Sequence, residues 1–169
     1  THRRESFGGP MLEALAAVRE VCEATPGLNV IFPVHPNPNV RAQVRQVLAN
    51  VGQVHLIDPL DYVTFSHLMA RATLVVTDSG GIQEEAPSVS RPVVVLRETT
   101  ERPEGIDAGV AVLVGTERGR VRDTLMRLLH DPAAYAAMTG KPNPYGDGQA
   151  SDRIVKAMLE RHVRRSGAQ

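Results

Sequence analysis

Short apolar runs bounded by turn residues alternate along this chain with segments whose apolar positions recur at helical spacing, and that alternation restricts the fold more than any other feature. Met11, Leu12, Leu15, Val18 and Cys22 form one stripe, with Pro10 suited to a first turn, and predict a helix over about 10–24. Leu28–His35 reads as a strand buried on both faces. Asn37 as a cap, Pro38 behind it and the stripe Val40, Val44, Val47, Leu48 and Val51 predict a helix near 38–50. The pattern continues with a strand at Val54–Ile57, a helix at Asp61–Arg71, a strand at Thr73–Thr77, a short helix at Ile82–Ala86 and a strand at Pro92–Leu96. A strand at Val110–Val114, helices near 117–129 and 131–139, and a last helix from about Ser151 complete it. Parallel strands need crossover connections, so strands alternating with helices imply a doubly wound α/β architecture with a parallel sheet. Arg97–Gly109 and Gly140–Gln149 remain as long loops, which in a compact domain tend to carry function.

Composition narrows the class. Of 169 residues 42% are hydrophobic and 22% charged, so the chain has the makings of a packed core and neither a disordered nor a disulfide-scaffold composition. Nineteen basic against nineteen acidic residues give a net charge of +0, which argues against general nucleic-acid binding. The lone Cys22 cannot form an intrachain disulfide and reads as buried, and no apolar run approaches the roughly 20 residues of a membrane helix. The expectation is a soluble, reduced, cytoplasmic chain without a membrane partner. The first residue is Thr1, with neither a start methionine nor a signal-peptide pattern, so polypeptide upstream is expected to have been removed.

In an open parallel sheet ligands gather at the carboxyl ends of the strands. There the sharpest feature is Val75-Val76-Thr77-Asp78-Ser79-Gly80-Gly81-Ile82-Gln83-Glu84-Glu85, a strand entering a two-glycine turn and a helix. The unpaired N–H groups and positive dipole end of a helix N-terminus suit a phosphate. Alternatively, Ser79 only caps the helix and the glycines only make the turn. Glu84 and Glu85 either favour the helix dipole or accept hydrogen bonds from ribose hydroxyls. His2-Arg3-Arg4-Glu5 combines a titratable imidazole with two guanidiniums that match phosphate, or is a solvated terminus. Were a strand to precede Thr1, this motif would sit at that strand's carboxyl end. Arg102 lies in the loop after Val93–Leu96, either a third arm of the same edge or part of a surface salt-bridged loop. His35 ends another strand, and Phe65 reads as core by spacing or as an aromatic able to stack on a base. His55, His67, His130 and His162 lack metal-ligand spacing, and no metal site is expected.

Five segments in order, His-Arg-Arg-Glu-Ser-Phe-Gly, Pro-Val-His-Pro-Asn-Pro-Asn-Val, Asp-Ser-Gly-Gly-Ile-Gln-Glu-Glu-Ala-Pro, Thr-Thr-Glu-Arg-Pro-Glu-Gly and Asn-Pro-Tyr-Gly-Asp-Gly, closely resemble the non-hydrolysing UDP-N-acetylglucosamine 2-epimerases. The resemblance runs from Thr1 to about Leu159. One departure is visible at Ser88-Val89-Ser90-Arg91-Pro92, where the family has glycine and lysine before the proline. The resemblance implies one half of a glycosyltransferase-B-type pair of Rossmann-like domains, here the C-terminal, UDP-binding half over residues 1–169, with the N-terminal domain outside the chain. It implies that Ser79, Gly80 and Gly81 hold the diphosphate, Glu85 the ribose hydroxyls and Phe65 the uracil. Arg102 and His2 are then the catalytic candidates at the phosphate and sugar cleft, and Arg3 and His35 resemble positions that contact a second, activating UDP-N-acetylglucosamine. The implied reaction eliminates UDP to a glycal and re-adds it with carbon two inverted, without a redox or other cofactor. UDP and UDP-N-acetylglucosamine, the other domain and a second copy in a homodimer are the implied partners. A UDP-sugar glycosyltransferase half and a non-catalytic nucleotide-sugar module stay open as alternatives. The His-Arg-Arg-Glu and Thr-Glu-Arg-Pro-Glu motifs speak against the former.

Overall fold

The computed structural model describes residues 8–166, with side chains through Arg161. The elements in chain order are α1 (Gly9–Ala24), β1 (Val30–Pro33), α2 (Pro38–Leu48), β2 (Val54–Ile57), α3 (Tyr62–Arg71), β3 (Val75–Thr77) and α4 (Gly80–Ser88). They continue with β4 (Val93–Val95), α5 (Pro103–Asp107), β5 (Ala111–Leu113), α6 (Arg118–His130), α7 (Pro132–Ala136) and α8 (Ala150–Ser166). The α/β alternation is as the periodicity predicts. Two details differ. The loop expected over Arg97–Gly109 contains α5, which is too short to show a helical stripe. The helix after the Ser79 turn begins two residues earlier than its apolar positions suggested, because glycines carry no periodicity signal.

Local chemistry explains the starts. Asn37 caps α2, its side-chain oxygen accepting the N–H of Asn39 at 2.9 Å, with Pro38 at the first helical position. Asp61 caps α3 and Glu117 caps α6, the latter accepting the N–H groups of Gly119 and Arg120 at 2.8 and 2.7 Å. These bonds favour the ionised carboxylates and hold both below the usual carboxylate range.

All strand pairs are parallel, but they form two sheets, β1-β2 and β3-β4-β5, rather than the one sheet expected. β4 is the centre of the larger sheet, with Val93, Val94 and Val95 fully buried. Val94 faces a cluster with Ala17 and Val21 of α1 and Leu125 and Leu128 of α6, while Val93 and Val95 face Met69 of α3 and Ala86 of α4. Helices therefore cover both faces, and each buried valine stabilises by about 1.5–3 kcal/mol. A third cluster seats α2 through Val40, Val44 and Leu48 on Met11 and Leu15 of α1 and on β1-β2. Cys22 is buried, and burial pushes its thiol upward in pKa. Among the described residues no helix is long and apolar enough to cross a membrane, and no three or more His, Cys, Asp and Glu side chains gather as metal ligands.

Candidate functional site at the carboxyl edge

β3 ends in Thr77, which is followed by Asp78, both buried, and delivers Ser79 as the N-cap of α4. The Ser79 hydroxyl makes no capping hydrogen bond; instead its N–H is accepted by the Thr77 hydroxyl at 3.0 Å. Gly80 and Gly81 are not among the residues with positive φ. Ser79 thus caps α4 through its backbone and not through its hydroxyl, and the turn does not require glycine for its backbone angles. A Cβ on Gly80 would meet no atom within 4 Å, which describes open space above the first turn of the helix. A Cβ on Gly81 would lie 3.8 Å from Glu85 Oε1 and 3.9 Å from Ser79 Oγ, so those three residues share one patch. The first-turn N–H groups of α4 have no acceptor within the helix and bear its positive dipole end.

The Arg102 loop closes on this turn. Gln83, 1% exposed, donates its amide to the Ser79 carbonyl at 3.3 Å and accepts the Thr100 hydroxyl at 2.6 Å. The Thr100 hydroxyl in turn accepts the N–H of Arg102 at 3.0 Å. Arg102 itself is ion-paired with Glu84, which holds the guanidinium firmly charged. Tyr145, from the second long loop, donates its hydroxyl to the Arg102 carbonyl at 3.1 Å and accepts the Gly105 N–H at 2.9 Å. Burial raises the Tyr145 pKa, so the phenol stays a donor at neutral pH. A Cβ on Gly105 would fall 2.6 Å from that hydroxyl, so a side chain there would displace Tyr145 from its two hydrogen bonds. Asn143 adds a longer bond to the Glu84 carbonyl at 3.4 Å.

Two of the three loops expected to converge therefore do so; His2 and Arg3, the other arm, lie outside the described residues. Phe65 is half-buried against the Met69, Ala86 and Val93 cluster, as its spacing suggested, and also lines a cavity of about 650 Å³ together with His35 and Ser79. His35 is exposed, its Nδ1 accepting the N–H of Asn37 at 3.2 Å. Gly80, Gly81, Glu85 and Arg102 stand outside that cavity. The sequence reading missed Gln83, Thr100 and Tyr145. Only the lone polar residue on the buried side of α4 could have flagged Gln83, and nothing local pairs it with Thr100.

The family profile described as UDP-N-acetylglucosamine 2-epimerase matches residues 1–159. The chain belongs to that family. It is 50% identical over 162 residues to the UDP-N-acetylglucosamine 2-epimerase of Yersinia pestis, an alignment covering 96% of this chain and 43% of the relative. Among solved structures, the S. aureus MnaA–UDP co-structure aligns with a TM-score of 0.88 at 44% identity, over 91% of this chain and 42% of that one. The UDP-GlcNAc 2-epimerase from Neisseria meningitidis bound to UDP-GlcNAc aligns with a TM-score of 0.89 at 42% identity, over 94% and 43%. The chain thus spans about two fifths of the length of the relatives it matches. Ser90 is the non-glycine residue with positive φ (56°) among those described.

Proposed function

We propose that this chain is the UDP-binding half of a UDP-N-acetylglucosamine 2-epimerase, and that residues 1–169 form its C-terminal domain. The observation that carries the reading is the closure of the Arg102 loop on the Ser79 helix N-terminus through buried Gln83, in a chain of this family. In this reading Ser79 Oγ and the N–H groups of Gly80 and Gly81 receive the diphosphate, Glu85 accepts from the ribose hydroxyls, and Phe65 contacts the uracil. Arg102 and His2 face the bond between sugar and diphosphate, while Arg3 and His35 meet a second, activating substrate molecule. The reaction removes the proton from carbon two as the bond from carbon one to the diphosphate oxygen breaks. The electron pair of the carbon–hydrogen bond becomes the glycal double bond, and UDP departs as the anion. UDP then re-adds at carbon one and a proton returns to the opposite face of carbon two. Charge grows on the leaving oxygen, so a fixed guanidinium beside it stabilises the transition state more than the ground state. The acid/base carboxylates belong to the other domain, and a homodimer is the proposed assembly.

The full-length protein incubated with UDP-N-acetylglucosamine is expected to yield UDP-N-acetylmannosamine, read by chromatography. UDP binding without turnover would make it a non-catalytic module, and sugar transfer to an acceptor would make it a glycosyltransferase.

A further inference from the structure

The ion pair between Arg102 and Glu84 joins two residues whose backbones are anchored without it. The Arg102 N–H and carbonyl are held by the Thr100 and Tyr145 hydroxyls, and the Glu84 carbonyl accepts the Asn143 amide at 3.4 Å. Asn143 and Tyr145 belong to one loop and are themselves joined, the Tyr145 N–H donating to the Asn143 side-chain oxygen at 3.2 Å. The Arg102 and Glu84 side chains are 37% and 39% exposed, so water screens the pair, and pairs of that kind hold a structure together only weakly. Arg102 Nε donates to Glu84 Oε1, while Nη1 donates to the Glu101 carbonyl at 3.1 Å. The Glu101 carboxylate is paired with Arg97, so the carboxylate paired with Arg102 is that of Glu84.

Glu84 also lies close to where an anion would sit. It follows Gly80 by four residues, so it shares that residue's face of α4, about 6 Å further along the axis. A Cβ on Gly80 would meet no atom within 4 Å, and the first-turn N–H groups there carry the positive end of the helix. Arg102, drawn to Glu84, is therefore parked about one turn from open space that favours an anion. A diphosphate offers more oxygens than a carboxylate, so it can take the guanidinium at two points while its other oxygens meet the helix. We propose that Glu84 is an internal competitor for the ligand: it holds the Arg102 guanidinium in the absence of ligand and yields it to a diphosphate, and so sets how tightly the site grips that group. The exchange needs side-chain rotation alone, since both backbones stay anchored. Every ligand that uses Arg102 must break the pair, so Glu84 weakens substrate and product alike and takes the arginine back as UDP leaves. The inference rests on the reading of this edge as the diphosphate site.

Calorimetry on the full-length protein, with UDP and inorganic pyrophosphate as probes, tests it through a cycle of Glu84→Gln and Arg102→Ala. Glu84→Gln keeps the shape of the side chain and removes its charge. It should tighten both probes about two- to fivefold beyond what the same substitution achieves in an Arg102→Ala background, where only the loss of charge repulsion remains. Equal gains in the two backgrounds would make Glu84 an ordinary repelling charge and overturn the proposal. So would weaker binding by Glu84→Gln, which would make Glu84 a support that holds Arg102 in place. In both of those cases Arg102→Ala alone still weakens UDP, and the diphosphate reading stands. If Arg102→Ala leaves UDP affinity unchanged, that reading of Arg102 fails and the competitor role fails with it.

Discussion

Two arginines stand at opposite ends of the β3-β4-β5 sheet, and their partners differ in kind. Arg91, at the amino end of β4, gives its guanidinium to the Ala70 carbonyl at 2.7 Å and, at 3.5 Å, to the Tyr135 hydroxyl, while Tyr135 donates to the Thr73 carbonyl at 3.0 Å. Those partners are a backbone carbonyl and a tyrosine hydroxyl that is itself bonded to backbone, so Arg91 ties the end of α3 to α7 and the start of β3. Arg102, past the carboxyl end of β4, has its backbone fixed by Thr100 and Tyr145 but its charge turned to Glu84, both side chains being more than a third exposed. One end spends its arginine on structure. The other fixes the backbone and leaves a charged group at the surface, where an anionic ligand could compete for it.

Replacing each arginine should therefore move different observables. In the full-length protein Arg102→Ala is expected to lower turnover about a hundred- to a thousandfold with little change in melting temperature, since removing one electrostatic donor at a developing anion costs that much. Lysine should restore part of the loss, keeping charge but not the planar fork. Normal turnover would return Arg102 to a surface ion pair, worth little. Within the same patch, Glu85→Ala should weaken UDP by about 1.5–3 kcal/mol and inorganic pyrophosphate hardly at all, measured by calorimetry. Equal losses would assign Glu85 to helix stability. Arg91→Ala carries the opposite expectation, a stability loss of about 1–2 kcal/mol in urea unfolding with turnover per folded molecule unchanged.

The contrast between the two ends also explains what the sequence could reveal. Elements rest on local signals, so the Asn37-Pro38 start, the Val54–Ile57 strand and the Ser79 turn were legible from their own residues. The split into two sheets was not, because which strand edges meet is a long-range matter that no spacing records. At the site, Ser79 and Arg102 were legible as residue types in loops after strands, and Glu85 as a carboxylate early in the helix that follows. The bridge from Gln83 to Thr100 spans seventeen positions and depends on how two loops fold over each other. Thr100→Val tests that bridge with near-constant shape. It frees the Arg102 N–H and the Gln83 amide oxygen, so turnover should fall about tenfold, or roughly 1.4 kcal/mol. In an Arg102→Ala background the same change should add nothing, and an additive effect would show that Thr100 acts elsewhere.

The smallest effect belongs to the amino end, at Ser90. Its φ of 56° lies in the left-handed region, where a side chain costs roughly 1 kcal/mol or more, and its N–H donates to the Pro87 carbonyl at 3.0 Å to close α4. Arg91, next in line, donates its own N–H to the Ala86 carbonyl at 3.1 Å, so the turn is held from both sides and the angle cannot relax. Ser90→Gly removes the steric cost but loosens the unfolded chain, and the balance is a gain of about 0.5 kcal/mol, or roughly 1–2 °C in a domain of this size. Ser90→Ala keeps the Cβ and loses the polar side chain that tolerates such turns, so it should stabilise nothing. If glycine and alanine shift the melting temperature equally, the strain is not in the backbone, and the angle at Ser90 is without energetic consequence.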